Sequence, residues 1–261
     1  MRLLDNICSL GKNIILLGFV AFFSLGLLWW WLVDFNAINE KVFPGPVVVF
    51  NSFWHLLLDG SLLKHTVASL YRVTVGFYLA AALGIPLGIF IGRVILARNL
   101  LNPIIQFLRP ISPLAWIPLA MLWFGIGDKP AIFLIFLACF FPLVVSTTIA
   151  VGSINKVYFQ VASNFNFSST ECLFKIIIPA IIPDLVTALR LTVSIAWLVV
   201  VAAEMIAVQS GLGYLILDSR NALRMDYVMV GMIVIGMIGL MLDYVVRQLG
   251  KGKASVWKQV P

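Results

Sequence analysis

Six stretches of this 261-residue chain are apolar for about the length a helix needs to cross hydrocarbon, and nothing else in the sequence limits the fold as strongly. They lie at about residues 14–33, 65–92, 104–124, 131–151, 185–207 and 228–246. Inside a bilayer the backbone has no water to bond to, so an apolar run of ~20 residues closes its hydrogen bonds internally, as a helix. The expected fold is all-α: a polytopic membrane protein of about six transmembrane helices in a single domain over residues 1–261. Only 11% of residues are charged, against about 25% in soluble domains. The first run is longer than a signal-peptide core and ends in Trp29, Trp30 and Trp31, which reads as a retained helix with an aromatic belt.

The net charge of +7 is an orientation signal. Six spans leave both termini on one side. Placing them in the cytoplasm puts Arg2, Lys12, Arg93, Arg98, Lys156, Lys175 and the tail cations inside, with Asp34, Glu40, Asp59, Asp128, Asp218 and Asp226 outside. No basic stretch is interleaved with aromatics as single-strand binders require, so nucleic acid is not an expected partner and membrane lipid is. Cys8, Cys139 and Cys172 are far apart and odd in number, which predicts free thiols. His55 and His65 read as polar residues at an interface, with no metal role, and the stretch FPGPVVVFNSFWHLL, with Pro44 and Pro46, as leading into an amphipathic piece along the outer interface.

Several spans carry residues that lipid does not tolerate. Pro110, Pro113 and Pro118 predict that the third helix is broken and faces the bundle interior. Ala81, Gly84 and Gly88 offer another helix a close approach. Glu204 follows thirteen uncharged residues. At that depth it reads either as a gate or pathway residue or as a buried structural acid. Asp184 and Arg190 read as interfacial or snorkelling groups. Gly211 and Gly213 allow a tight re-entrant turn.

Residues 155–179 form a polar interval between two spans. Val157, Val161 and Phe165 recur every four residues, as do Tyr158 and Ala162, which predicts a short amphipathic helix. Asn166 tolerates the left-handed conformation just past a helix end. Ser168 and Glu171 are spaced as a capping box, so a second helix is expected to start at Ser169. Pro179 is expected to end it near Ile178. Phe159, Phe165 and Phe167 sit in or beside the turn and suggest a docking surface.

This layout resembles the cytoplasmic coupling loop, the EAA loop, of permease subunits of binding-protein-dependent ABC importers. Gln160, Val161 and Ala162 fall on its Glu-Ala-Ala positions, Asn166 on its glycine and Pro179 on its proline. Only Ala162 and Pro179 match outright. The runs from Arg109 to Asp128, from Ala188 to Met205 and from Ser210 to Arg220 resemble the nitrate, sulfonate, taurine and bicarbonate branch, as does FPGPVVVF at 43–50. The resemblance implies a type I importer permease in the cytoplasmic (inner) membrane, paired with a second copy or a related permease. It also implies two cytoplasmic ABC ATPase subunits, an external or periplasmic solute-binding protein and alternating access driven through the loop.

The chain contains no G-x-x-x-x-G-K-[ST] phosphate loop, so it is expected to be a transport subunit without a cofactor or catalytic site of its own, ATP being bound by a partner. Trp116, Pro118, Trp197 and Glu204 are the candidates for lining or gating the path. Gln160, in place of the acid, implies an altered ATPase partner or a heterodimer. Nothing here separates nitrate from an alkanesulfonate. The competing reading is a channel or carrier that works without ATP; neither a ring of like charges nor a clear inverted repeat stands out. An intramembrane enzyme lacks its constellation of groups.

Overall fold

The computed structural model describes residues 20, 21, 23–33 and 42–251, and every regular element among them is a helix. The start of the first expected span, Cys8, and the charges at Arg2, Lys12, Asp34, Glu40, Lys253 and Lys258 lie outside the described residues. The helices are α1 (Phe23–Val33), α2 (Pro46–Leu58), α3 (Ser61–Arg93), α4 (Ile95–Leu108), α5 (Ile117–Phe124), α6 (Asp128–Gly152), α7 (Lys156–Asn164), α8 (Ser169–Cys172), α9 (Ile178–Ala207), α10 (Leu212–Asn221) and α11 (Met225–Lys251). Among them α3, α6, the run Ser169–Ala207 and Met225–Val246 are long and apolar enough to span, and α4 with Pro113–Phe124 is apolar enough only as a pair bent by 85°, which makes a fifth passage if the pair is one span.

The bend fulfils the expectation of a broken third helix. Pro113 opens a 3₁₀ turn, Pro113–Trp116, that leads into α5. The passage nevertheless begins at Ile95 instead of residue 104, because Arg98 and Asn102 interrupt the hydropathy without interrupting the helix.

Pro179 does not end its helix, which is the main correction to the sequence reading. A π-helical turn, Leu173–Ile177, joins α8 directly to α9, giving one continuous run from Ser169 to Ala207. A proline in an α-helix loses one hydrogen bond and strikes the carbonyl four residues earlier. The wider π turn immediately before Pro179 shifts that register, so the chain continues. At 1.5 Å per residue the run is about 58 Å long, against about 30 Å of hydrocarbon. The run is therefore longer than one crossing requires, and it begins with the polar residues Ser169-Thr170-Glu171.

Packing divides the described residues into two compact units, those within 1–61 and 216–232 and those within 62–215 and 233–251. In the first, Trp29 Nε1 donates to the Pro44 carbonyl at 3.2 Å and its ring meets Phe43 edge-on. Ser52 Oγ donates to Asp226 Oδ2 at 2.7 Å. α2 buries Val49, Ser52 and Leu56 and leaves Trp54 exposed, the amphipathic pattern expected of it.

In the second unit one face of α3 organises the packing. Gly76, Gly84, Gly88 and Gly92 lie every four or eight residues along it, with Ala80 completing the row. A Cβ on Gly76 would meet Ile135 at 2.7 Å, one on Gly88 would meet Thr147 at 2.6 Å, and one on Gly92 would meet Val151 at 2.6 Å. The constant offset shows that α3 and α6 run parallel in close backbone contact, as small-residue rows permit. Ala80, fully buried, takes the place the sequence reading gave to half-buried Ala81. A second core joins Ile117 and Ala120 of α5 to Ala131 and Leu134 of α6 and to Ala203 and Ala207 of α9.

Candidate functional site

Two constellations stand out, one at each end of α9. The first is the expected helix–turn–helix. Asn155 caps α7 by accepting from the Val157 backbone N–H at 3.0 Å. At the other end Asn166 has φ 53°, the Phe167 N–H donates to the Ala162 carbonyl, and the Asn166 N–H donates to the Ser163 carbonyl. Those two bonds form a Schellman ending, which needs a left-handed residue at this position. The Ser168–Glu171 capping box is complete in both directions. Lys175 Nζ lies 2.8 Å from Glu171 Oε1 and, with the Ser168 backbone N–H and hydroxyl, draws the Glu171 carboxyl down to about 2. The turn is thus fixed by local chemistry. Asn166→Gly is expected to leave the melting temperature of the purified protein within a few degrees, whereas Asn166→Val, forced into the left-handed region, should lower it by an amount equivalent to about 1–2 kcal/mol.

The three phenylalanines do not share one role. Phe159 is half-buried and packs inward with Ile154 on Ala150, Val151, Cys172 and Ile177, so it anchors the loop to α6 and α9. Phe167 is half-buried under Lys175, whose ammonium stands 4.9 Å from the ring centre. Phe165 alone of the three is widely exposed, at 72%. Val157, Tyr158 and Val161 extend its patch, and Gln160 lies beside them. Sequence periodicity found this stripe but does not say which way it faces.

The second constellation surrounds Glu204, which is fully buried. Its Oε1 accepts from Arg72 Nη1 at 2.6 Å; its Oε2 accepts from Ser69 Oγ at 2.8 Å and from the Gly213 backbone N–H at 3.0 Å. Arg72, also buried, donates through Nε to Asp128 Oδ1 at 2.8 Å and through Nη1 to the Ser210 carbonyl at 2.7 Å. His65 Nδ1 accepts from the Gly211 N–H at 3.0 Å, so this ring nitrogen carries no proton there. His65, Ser69 and Arg72 occupy the end of the α3 face that continues as the glycine row. They hold the 208–213 turn against the end of α9, and this places His65 in the protein framework instead of among headgroups.

The four candidate path residues separate accordingly. Glu204 and Trp197 are buried in the bundle, Trp197 Nε1 donating to the Ile235 carbonyl at 3.1 Å. Trp116 is half-buried and Pro118 exposed, both on the 3₁₀–α5 segment. Sequence reasoning missed the partner of Glu204. The available signal was Arg72, a second charge inside an apolar span. Arg190, an interfacial or snorkelling group by sequence, pairs with Asp243 of α11 at 3.2 Å.

Residues 84–252 match the family described as binding-protein-dependent transport system inner membrane component. A putative ABC transporter permease protein of Methanocaldococcus jannaschii is 39% identical over 242 residues, covering 91% of this chain and 90% of that protein. The taurine transport system permease protein TauC of Escherichia coli K12 is 34% identical over 227 residues, covering 85% and 82%. A chain of the MetNI methionine ABC transporter, in an inward-facing conformation, shares the fold with a TM-score of 0.58 at 17% identity, over 72% of this chain and 95% of that one. With most of its length inside the family and its relatives aligned nearly end to end, this chain belongs to the inner membrane permease components of binding-protein-dependent ABC transport systems.

Proposed function

We propose that the chain forms the translocation route of an ATP-driven importer for a small solute bearing an oxyanion group, of the taurine, sulfonate, nitrate or bicarbonate class, and that α7 is where a cytoplasmic ATPase docks. The observation that carries the docking is the outward apolar stripe: Val157, Val161 and Phe165 are 55%, 46% and 72% exposed on a helix whose other side is packed. An amphipathic helix ordinarily turns such a stripe inward, so one turned outward in an aqueous loop lacks its partner. The lack of a phosphate loop assigns ATP to that partner, and the cation distribution puts the loop and both termini in the cytoplasm.

Closure of the ATPase pair would press on α7 and α8. The continuous run Ser169–Ala207 then carries the displacement the length of the membrane to the Arg72–Glu204 cluster and α5. A second permease copy or a related chain faces this one across the route, and an external binding protein delivers the solute. Trp116 and Pro118 line the route. Glu204 and Trp197 act on it indirectly, by holding the 208–213 turn and α11 to α9. The substrate class rests on the kinship with the taurine permease and on the motif resemblance.

The test is affinity purification of the tagged protein from its native membrane in mild detergent, with an ATPase assay on what accompanies it. An ATPase is expected at one per permease. Phe165→Asp puts a charge where a desolvated aromatic contact is needed and should reduce its recovery at least about tenfold while the permease stays monodisperse. An undiminished ATPase would refute the docking surface, and transport indifferent to ATP would favour the carrier reading.

A further inference from the structure

α4 has three faces. Leu96, Leu100, Ile104 and Phe107 form an exposed apolar face, and Ala97 and Ile105 are buried, Ile105 in a core with Ile91 and Val144. The third face carries Arg98, Asn102 and Gln106, one helical turn apart. This face opens onto a half-open cleft of about 350 Å³ between α4 and α6, with Thr148 and Gly152 on the opposite wall. α4 runs antiparallel to α6, since Arg98 lies beside Gly152 while Ile105 meets Val144. The polar row therefore starts at the end of α6 that leads into the α7–α8 loop and climbs about 12 Å into the bundle.

Every polar side chain on the cleft carries a hydrogen-bond donor, and no carboxylate lines it. Thr148 already donates to the Val144 carbonyl at 2.8 Å, and Arg98 gives one guanidinium N–H to the Gly92 carbonyl at 3.1 Å. That leaves most of the guanidinium fork, and the two amides have no intramolecular hydrogen bond among the described residues. Unpaired amides and a guanidinium are costly against lipid, so this wall of the cleft faces water or a polar ligand. A fork of guanidinium donors beside neutral amides suits a planar or tetrahedral oxyanion.

We propose that the α4–α6 cleft is a binding step for the oxyanion group of the solute in the half of the route next to the coupling loop, with Arg98 supplying charge and Asn102 and Gln106 the neutral donors. The inference rests on the importer reading for its solute, but its test does not. Gln106→Cys, in a chain with Cys8, Cys139 and Cys172 replaced, is reacted in phosphatidylcholine vesicles with two thiol reagents of equal intrinsic reactivity, one ending in a sulfonate and one in a trimethylammonium. Phe107→Cys, on the exposed apolar face, is the control.

The sulfonate reagent is expected to modify the thiol introduced by Gln106→Cys at least about tenfold faster than the cationic one, a ratio set by one guanidinium at this range. Adding Arg98→Gln should bring the ratio near one, and sodium methanesulfonate should protect where equal sodium chloride does not. Failure of both reagents at position 106, or the same ratio at 106 and 107, overturns the proposal. So does protection by phosphatidylglycerol vesicles but not by methanesulfonate, which would make the occupant a lipid headgroup. Uptake of taurine, nitrate and methanesulfonate by the unmodified assembly is measured separately: uptake of none of the three with a charge-selective cleft would refute the solute class and leave the cleft standing.

Discussion

Arg72→Met is expected to be among the most damaging single substitutions in this protein, and more damaging than Glu204→Gln. Removing Arg72 strands a fully buried carboxylate at Glu204 and releases Asp128 and the Ser210 carbonyl together. Breaking a buried pair by deleting one partner costs about 3–5 kcal/mol, because the desolvated charge that remains has nothing to answer it. Glu204→Gln is milder, since Arg72 keeps Asp128 at 2.7 Å and the amide oxygen can still accept from Ser69 and Gly213, although the amide NH2 then faces the Arg72 guanidinium donor to donor. The double variant Arg72→Met/Glu204→Met leaves no unanswered buried charge and should recover part of the loss, the remainder being the Ser69 hydroxyl and Gly213 N–H left without their acceptor. The measurement is the melting temperature and monodisperse yield of the four proteins in one detergent, followed by solute uptake. Restored folding with restored uptake would make the pair a structural clasp; restored folding with lost uptake would return Glu204 to the gate. Equal melting of Arg72→Met and the unaltered chain would refute the clasp.

What the sequence made legible was local or periodic. The left-handed Asn166 and the Ser168–Glu171 box each depend on neighbours within five residues, and both form as read. The long apolar runs are continuous over whole spans and, where described, are helical. The misses depend on partners distant in the chain or on geometry without a sequence marker. Glu204 meets Arg72 across 132 positions, and no local pattern announces the pairing. Phe159 and Phe165 look alike in sequence, but one reaches the α6–α9 core and the other points away from it. The continuation through Pro179 turns on a π turn whose residues, Leu-Phe-Lys-Ile-Ile, have no breaker or cap to reveal it. The row of Arg98, Asn102 and Gln106 was not legible because Arg98 stands in the sequence only as a cytoplasmic cation before the apolar run, and the three share a face only because α4 already begins at Ile95.

Gly213→Ala is the second substitution expected to do large damage, although it adds one methyl group. The Gly213 Cβ position falls inside contact distance of the Val201 carbonyl oxygen and 2.8 Å from Glu204 Cβ. A carbonyl in the middle of α9 cannot rotate away as a side chain can, so α10 itself would have to lift. Overpacking of this kind costs about 1–3 kcal/mol, and losing the Gly213 N–H bond to the buried carboxylate adds about 1.5–3. Gly211, at φ 106° with its Cβ position against the Glu204 carboxyl group, meets the same obstruction with backbone strain added. The glycines of this turn are therefore spaces into which the Arg72–Glu204 cluster is built. Gly236→Ala is the control: it lies exposed in α11 with nothing within 4 Å of its Cβ position, and should be neutral or gain about 0.5–1 kcal/mol from helix propensity. Thermal unfolding of the three variants in the same detergent distinguishes these effects, with Gly211→Ala and Gly213→Ala melting well below Gly236→Ala. If Gly213→Ala melts with the unaltered protein, α10 does not rest on Val201 and the clasp around Glu204 must be closed by other contacts.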